Sequence, residues 1–336
     1  MKESVTHGDA PGPLLSVRDL HVHFKFRGGA LPWAAPQTVK AVNGVSFDLH
    51  PGETLGIVGE SGCGKSTLAR ALLNLVPATR GSVAWMGRDM QAASPHDWMQ
   101  VRRNVQMVFQ DPLASLNPRM NVAQIVGEPL RTHAPELDRE QVLGQVKDML
   151  LRVGLSEAHL YRYPHEFSGG QCQRIGIARA LVLKPRLLVC DEPVSALDVS
   201  IQAQIINLLQ ELQREMQLAL VFIAHDLAVV KHVSQRVLVM YLGRTMELAG
   251  KEGLYSDPRH PYTQAPLSAV PVADPRRERH KVINLLSGDL PSPINPPSGC
   301  VFHTRCPQVF DRCPREVPPL KAVSGHSQAA CWLYED

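Results

Sequence analysis

The stretch 59-GESGCGKST-67 decides the fold expected for this chain, because an apolar segment precedes it and a helical segment follows it. The preceding segment, 53-ETLGIV-58, predicts a short buried strand, and the following one, 66-STLARALLNL-75, predicts a helix. The residues that fit the pattern G-x-x-x-x-G-K-[ST] are Gly59, Gly64, Lys65 and Ser66. A strand, a glycine-rich turn and a helix in this order predict a phosphate-binding loop.

The residue types of this loop suit phosphate chemistry. Glycines let the backbone curl so that several N–H groups point inward, and the helix N-terminus adds further donors to phosphate oxygens. Lys65 supplies a cation to the terminal phosphates, Ser66 can coordinate Mg²⁺, and Thr67 can hold another phosphate oxygen. The flanking strand and helix disfavour the alternative of a glycine-rich turn that fits by chance. The expected nucleotide-binding residues of the loop are Gly59, Glu60, Ser61, Gly62, Cys63, Gly64, Lys65, Ser66 and Thr67.

A second signal for phosphate chemistry lies at 186-RLLVCDEP-193, where an apolar strand ends in two acids. Asp191 at the strand end can hold Mg²⁺, directly or through water, and Glu192 is placed to polarise an attacking water. Phosphoryl transfer depends mainly on positioning and charge neutralisation, so a metal carboxylate and a water-orienting group suffice. The alternative, two solvated acids on a loop, fits the preceding apolar strand less well.

Composition narrows the class of protein. The chain has 336 residues, of which 44% are apolar and 20% charged, as is ordinary for a soluble globular protein. The net charge of +3 gives no argument for nucleic-acid binding. No apolar run approaches the roughly 20 residues of a membrane helix, and the first 13 residues lack the apolar segment of a signal peptide. We therefore expect a cytoplasmic protein that meets a membrane only through a partner.

Sequence patterning predicts an α/β protein with several parts. Residues 1–13 resemble a flexible tail, and alternating strand and helix patterns over 14–255 predict a mainly parallel sheet covered on both faces. Alternating residues near the start of that region predict an antiparallel β subdomain. Residues from about 110 to 170 predict a helical insert. Prolines crowd residues 256–336, which predicts a small C-terminal appendage without long helices.

Four further motifs resemble those of the ATP-binding-cassette (ABC) family. The segment 167-FSGGQCQR-174 resembles its signature loop, with Phe167 where leucine is commonest. Gln110 in VFQDP, Asp198 at the end of SALD and His225 in FIAHD resemble its Q-loop, D-loop and switch histidine. With the two phosphate motifs they stand in the family's order over residues 14 to about 250. The resemblance implies a RecA-like P-loop NTPase cassette.

The same resemblance implies roles for individual residues. Two cassettes meet head to tail, so a signature segment clamps the γ-phosphate of ATP held by the other chain; its residues here are Ser168, Gly169, Gly170 and Gln171. The implied catalytic residues are Lys65, Gln110, Glu192 and His225, and the implied Mg²⁺ ligands are Ser66, Gln110 and Asp191. Asp198 belongs to the same nucleotide site. Phe24 is the first candidate to stack on adenine and Phe26 the next, although either could instead be strand packing.

The C-terminal residues narrow the resemblance to one branch of the family. The segments 258-PRHPYTQAPLSAVP-271 and 288-GDLPSPINPPSGCVFHTRC-306 resemble ATPase subunits of oligopeptide and dipeptide importers, in particular the F-type subunits of oligopeptide permeases. This implies a different but homologous second ATPase subunit, two membrane permease subunits and, indirectly, an extracytoplasmic peptide-binding protein. The expected location is the cytoplasmic face of the inner membrane. Relatives that import nickel or glutathione leave the substrate open.

Two readings from other classes compete with an importer subunit. Soluble cassette ATPases of translation or DNA repair usually carry two cassettes or a long coiled-coil insertion, and neither is visible here. A phosphate-loop kinase or GTPase has no place for FSGGQ, SALD and the late histidine, and no guanine-reading motif stands out.

Four cysteines crowd the end of the chain at Cys300, Cys306, Cys313 and Cys331. In a reducing compartment such crowding suggests a metal more than disulfides. Four thiolates suit a [4Fe–4S] cluster or tetrahedral zinc, and four unliganded buried thiols are the alternative. The importer resemblance favours a structural iron–sulfur cluster that fixes the proline-rich tail.

Overall fold

The structure is a computed structural model that describes residues 12–27, 36–270, 288–325 and 327–334, together with four isolated positions. These positions are Asp274, Arg276, Arg279 and Leu286. The expected flexible tail at 1–13 lies almost entirely outside the described residues. In the part of the chain that is described, no helix has the length and apolar character needed to cross a membrane.

A central eight-stranded sheet carries the fold, in the order β11-β12-β10-β9-β3-β8-β7-β6. The five strands from β9 to β6 run parallel, and β10, β12 and β11 extend the sheet antiparallel. The expectation of a mainly parallel sheet is therefore confirmed. Its strands are β3 (Thr54–Val58), β6 (Val105–Val108), β7 (Leu187–Asp191), β8 (Ala219–Ile223), β9 (Arg236–Tyr241), β10 (Arg244–Gly250), β11 (Lys321–Ser324) and β12 (Ser327–Ala329).

Both faces of the parallel strands are covered, which explains their continuous apolar sequences. Every residue of β3, β7 and β8 is buried. Alternate residues of one strand enter two different cores: Leu188 and Cys190 join one cluster, whereas Leu187 and Val189 join the other. This alternation follows from the period of two in a strand. The ends of these strands are thereby held rigidly, and they carry the site described below.

A four-stranded antiparallel sheet packs beside the central one, as the N-terminal pattern predicts. Its order is β2-β1-β4-β5. In the long β1–β2 pair, Leu15 lies opposite Leu49 and Phe24 opposite Val39. The strands are β1 (Leu15–Arg27), β2 (Pro36–Leu49), β4 (Arg80–Trp85) and β5 (Arg88–Asp89).

Helices cover the sheet and fill the stretch between β6 and β7. There α3, α4 and α5 pack on one another, and their caps are Asn121, Asp138 and Ser168, each accepting a backbone N–H in the first turn. The helices are α1 (Lys65–Leu72), α2 (Pro95–Asn104), α3 (Val122–His133), α4 (Arg139–Arg152), α5 (Gly169–Leu181), α6 (Val199–Met216), α7 (Leu227–Val233), α8 (Lys251–Ser256) and α9 (Pro261–Ala269).

The C-terminal residues share the core and the sheet of the rest of the chain. Strand β12 pairs with β10, with Ala329 opposite Glu247. Phe302 is fully buried and packs edge-on against Tyr241 of β9, at 5.4 Å between ring centroids. The cysteine- and proline-rich region therefore packs on β10 and β9, and β9 is the parallel neighbour of β3, the strand that leads to the phosphate-binding loop.

Candidate nucleotide-binding and hydrolysis site

The predicted phosphate-binding loop joins β3 to α1 and curls around its own lysine. The Lys65 ammonium is buried, with 4% of the residue exposed. Its Nζ donates hydrogen bonds to the carbonyl oxygens of Gly59, at 2.8 Å, and Glu60, at 3.1 Å. Burying a cation is costly unless an anion balances its charge. The two carbonyls are neutral, so an anionic ligand would stabilise the Lys65 ammonium better than they do. The loop is thus built for an anion.

Gly64 shows why the loop needs glycine. Its φ of 104° lies in the left-handed region, and a Cβ built there would overlap the carbonyl oxygen of Ala41 on β2. A Cβ on Gly59 would likewise overlap the carbonyl oxygen of Met240. The two glycines therefore let the loop lie directly against neighbouring backbone.

The acid that ends β7 meets the first helical turn after the loop. The Ser66 hydroxyl donates a hydrogen bond of 2.8 Å to Asp191 Oδ1. Burial raises the pKa of Asp191 above its usual range, and the hydrogen bond from Ser66 opposes that shift. A buried carboxylate beside a hydroxyl supplies the oxygen ligands that Mg²⁺ prefers. This pair fits the metal that the sequence predicts.

Glu192 is the meeting point of the predicted catalytic side chains. Gln110 Nε2, after β6, donates to Glu192 Oε2 at 3.2 Å, and His225 Nδ1, after β8, lies 3.5 Å from the same oxygen. Lys65 Nζ lies 3.8 Å from Glu192 Oε1. The φ of Glu192 is 46°, which is strained for a residue other than glycine. The ends of three parallel strands thus bring one carboxylate to the loop.

A cavity of about 430 Å³ opens in front of this cluster. The predicted residues that line it are Phe24, Ser61, Gly62, Gly64, Lys65, Ser66, Thr67, Gln110 and Glu192. The aromatic candidate Phe24 therefore stands in the wall of the cavity, with 42% of the residue exposed. The alternative candidate, Phe26, is absent from the described lining.

The cavity wall also contains residues that the sequence patterns do not predict: Val39, Lys40, Ala41, Leu242, Gly243 and Pro293. Gly243 turns the β9–β10 hairpin with a φ of 76°, and the GR step after an apolar strand could have signalled that turn. Pro293 comes from the C-terminal region, and Lys40 N–H donates to its carbonyl oxygen at 3.4 Å. No local sequence pattern predicts that Pro293 lies in the wall of this cavity.

The signature and D-loop residues lie away from this cavity. Ser168 caps α5 by accepting the N–H of Gln171, and Asp198 caps α6 by accepting the N–H of Ile201. Of the predicted nucleotide residues, those that do not line the cavity are Gly59, Glu60, Cys63, Asp191, Ser168, Gly169, Gly170, Gln171 and Asp198. The catalytic candidate His225 is also outside the lining, although it contacts Glu192. One chain alone therefore does not bring the signature segment to its own phosphate-binding loop.

The four C-terminal cysteines are neighbours in space. The pKa of Cys300 is raised to about 11, mainly by burial and to a smaller extent by the nearby thiols of Cys313, Cys331 and Cys306. Yet among the residues that the structure describes, no three Cys, His, Asp or Glu side chains are arranged to hold a metal ion. The donor chemistry suits a thiolate-bound metal, but the observed arrangement does not support the expected [4Fe–4S] cluster.

Comparison with known proteins places these features in a family. Residues 42–195 match the ABC transporter family, and residues 246–313 match the oligopeptide/dipeptide transporter C-terminal region. The oligopeptide transport ATP-binding protein OppF of Escherichia coli is 60% identical over 94% of this chain and 94% of its own length. The oligopeptide transport protein AppF of Bacillus subtilis is 53% identical over 96% and 97%, respectively. The di/tripeptide transport protein DppF of Pseudomonas aeruginosa is 50% identical over 95% and 97%.

Solved structures agree with this relationship. The cassette cbiO1 of Clostridium perfringens, part of an ABC transporter complex, has a TM-score of 0.62 and 26% identity, covering 73% of this chain and 92% of its own. A dimeric cassette, MJ0796, bound to ADP and phosphate, has a TM-score of 0.62 and 25% identity, covering 70% of this chain and 98% of its own.

Fold, site and comparisons together define the class of this protein: it is an ATP-hydrolysing cassette of the ABC transporter family. More particularly, the chain belongs to the oligopeptide/dipeptide importer ATPases, because its C-terminal region matches that branch and its relatives match it nearly end to end.

The Ser66–Asp191 pair generates a first prediction. In S66A the gain in ATP affinity that Mg²⁺ provides should fall about tenfold or more, because a contact to a charged group contributes about 1.5–3 kcal/mol. ATP affinity of the full chain should be measured by calorimetry with Mg²⁺ and with EDTA. The control is S256A, since the Ser256 hydroxyl donates within α8 to Glu252 O, away from the metal site. Unchanged Mg²⁺ dependence in S66A would contradict the assignment of the metal site.

Proposed function

We propose that this chain powers the import of oligopeptides or dipeptides by binding and hydrolysing ATP between two cassettes. The observation that carries the proposal is the single cluster in which Glu192 meets Gln110, His225 and Lys65 at the mouth of a phosphate-binding loop. The peptide substrate is supported by the relatives, which are oligopeptide and di- or tripeptide transport proteins.

In this proposal Glu192 is the general base that takes a proton from the attacking water. Only 14% of its side chain is exposed, and its strained backbone directs the carboxylate toward the cavity. Gln110 orients the carboxylate through its amide, and His225 orders it from the other side while reaching toward the γ-phosphate. Lys65 leaves the two loop carbonyls to contact the terminal phosphates.

The proposed Mg²⁺ site consists of Ser66 and Asp191, with Gln110 as the third ligand. Bound there with ATP, Mg²⁺ would neutralise phosphate charge. Within the chain, the loop N–H groups hold the phosphates, Phe24 stacks on adenine, and the cavity wall excludes water from the nucleotide.

Replacement of the base gives a second prediction. E192Q should bind ATP, close the cassette dimer and lower ATP turnover of the assembled transporter at least a hundredfold, because general-base catalysis contributes about 10²–10⁴-fold. Phosphate release should be measured alongside E215Q, whose exposed carboxylate lies on α6 at 3.8 Å from Arg152. Full turnover by E192Q would refute the assignment of the base.

A second cassette is needed because the signature segment lies away from the cavity of its own chain. Ser168 caps α5 and Gly169 is its first residue, and the N–H groups at this helix N-terminus suit an anion from another molecule. The related MJ0796 cassette is dimeric. We infer that the partner here is a homologous but different chain, so that each contributes a signature segment to the other's ATP, and Asp198 lies at the same contact.

Gly169 tests that arrangement. G169D should bind ATP within about twofold of the original affinity, since the chain's own cavity does not contain Gly169. In the assembled transporter its turnover and peptide uptake should fall at least tenfold, because a carboxylate would face the partner's phosphates. G12D is the control, since Gly12 has open space around it. Undiminished uptake by G169D would overturn the two-chain site.

The proposed membrane partners are two permease subunits, contacted through the helical region of about residues 110–170. Exposed apolar side chains on that region, Leu113, Leu151 and Tyr161, are 55%, 56% and 68% exposed and suit such docking. We propose the division 14–255 for the nucleotide-binding domain and 256–336 for the C-terminal region. The chain would lie at the cytoplasmic face of the inner membrane, and an extracytoplasmic peptide-binding protein would act indirectly. No nucleic acid takes part.

The substrate is tested in the intact complex with a panel of di- to hexapeptides, glutathione and Ni²⁺. ATP-dependent uptake of peptides that is abolished by K65A supports the proposal. Uptake of Ni²⁺ or glutathione alone would replace the peptide substrate while keeping the ATPase role. Co-purification with ribosomes or DNA instead of permease subunits would refute the transport role.

For the tail we propose that the four cysteines hold a structural [4Fe–4S] cluster. Its support is the mutual proximity of four thiols and the importer resemblance, against the observed arrangement, which forms no metal-holding group among the described residues. Protein prepared anaerobically should contain about four iron and four sulfide per chain. C313S should lose both, whereas C172S, which removes a buried cysteine of α5, should keep them. One zinc per chain, or no metal, would refute the cluster.

A further inference from the structure

The carboxylate of Glu60 is an acidic group in a loop that is expected to bind phosphates. Glu60 is the second residue of the phosphate-binding loop, and a negative charge on this loop opposes the binding of an anionic ligand. It does not line the nucleotide cavity among the described residues. Its side chain is 31% exposed, so it is not fully screened by water. The negative charge of Glu60 therefore requires a cationic partner.

Arg305 of the C-terminal region supplies that compensation across 245 residues of sequence. Its Nη1 donates to both Glu60 oxygens, at 3.0 Å each, and lies 3.4 Å from the hydroxyl of Tyr241. Only 10% of the Arg305 side chain is exposed, so water screens this ion pair weakly. Hydrogen-bonded ion pairs of this kind are stronger than exposed ones.

Glu60 is fixed at its backbone as well. Its N–H donates to the hydroxyl of Tyr262 on α9, at 3.1 Å. Its carbonyl oxygen accepts from the Lys65 ammonium, at 3.1 Å, and from the N–H of Cys63, at 3.2 Å. The residue thus connects the lysine of the loop to two side chains from the C-terminal third of the chain.

The support behind Arg305 is rigid. Tyr241, Tyr262 and Phe302 are buried and pack as a triangle, with ring centroids 4.8, 5.4 and 5.4 Å apart. Phe302 precedes Arg305 by three residues, so the triangle fixes the backbone that carries the guanidinium. A displaced tail would therefore displace the charge that balances Glu60.

We propose that Arg305 is a positioning residue for ATP binding, which neutralises and holds Glu60 so that the phosphate-binding loop accepts nucleotide. The inference rests on the proposed role of residues 59–67 as the phosphate-binding loop. The C-terminal region then belongs to the ATP site of its own chain, and loss of its fold lowers nucleotide affinity.

The test compares R305Q with the double variant E60Q/R305Q. R305Q leaves an unpaired carboxylate on the loop that holds the phosphates, so Kd for ATP of the full chain, and KM of the assembled transporter, should rise about tenfold, equal to about 1.4 kcal/mol. The turnover number should change less than threefold. The double variant removes both charges and should return Kd and KM to within about threefold of the original values.

The matched control is R18Q, because Arg18 makes the same contact to both Asp48 oxygens, at 2.7 Å, on the N-terminal sheet. Thermal unfolding of each variant reports the fold. The proposal is overturned if R305Q keeps its KM, or if E60Q/R305Q binds ATP no better than R305Q while both unfold early, as a purely structural role predicts. K65A distinguishes failure of the Arg305 proposal from failure of the proposed phosphate-binding loop. If K65A also binds ATP normally, residues 59–67 are not the phosphate-binding loop.

Discussion

A buried lysine ammonium is the constraint on which the site depends. Lys65 is almost fully enclosed: its ammonium donates to two backbone carbonyls, Cys63 Sγ lies 4.0 Å away, and Glu192 Oε1 lies 3.8 Å away. An ammonium in such surroundings lacks a full counter-charge, so the most favourable partner for this loop is a polyanion. The same polyanionic ligand is favoured by three further features. These are the left-handed Gly64, the N-terminus of α1 and the hydroxyl of Ser66.

The parallel sheet brings the proposed catalytic side chains together beside this lysine. Strands β6, β7 and β8 end at one edge, and the residues that follow them are Gln110, Glu192 and His225. Because neighbouring parallel strands are about 4.8 Å apart, side chains after their ends meet without any long-range adjustment. Complete burial of β7 and β8 fixes the strand ends that precede Glu192 and His225.

The C-terminal region gives this cassette a feature that the motifs alone do not contain. It adds two strands to the central sheet, places Pro293 in the nucleotide wall and balances the charge of Glu60 through Arg305. A region that the sequence presents as an appendage is therefore part of the environment of the phosphate-binding loop. Of its neighbouring cysteines, Cys300 and Cys313 belong to the same hydrophobic cluster as Phe302, and Cys306 packs against that cluster.

Local sequence patterns were enough to predict the phosphate-binding loop and the pair Asp191–Glu192, because in each a short apolar strand runs directly into the reacting group. The alternation of strand and helix patterns gave the α/β class, the two sheets and the helices between β6 and β7. Three findings came from the packing of distant elements: Phe24 lines the cavity, the signature segment at Ser168 lies away from it, and Arg305 meets Glu60. Contacts between residues far apart in sequence produce no periodicity or motif spacing that could predict them, because they depend on how the helices and strands pack.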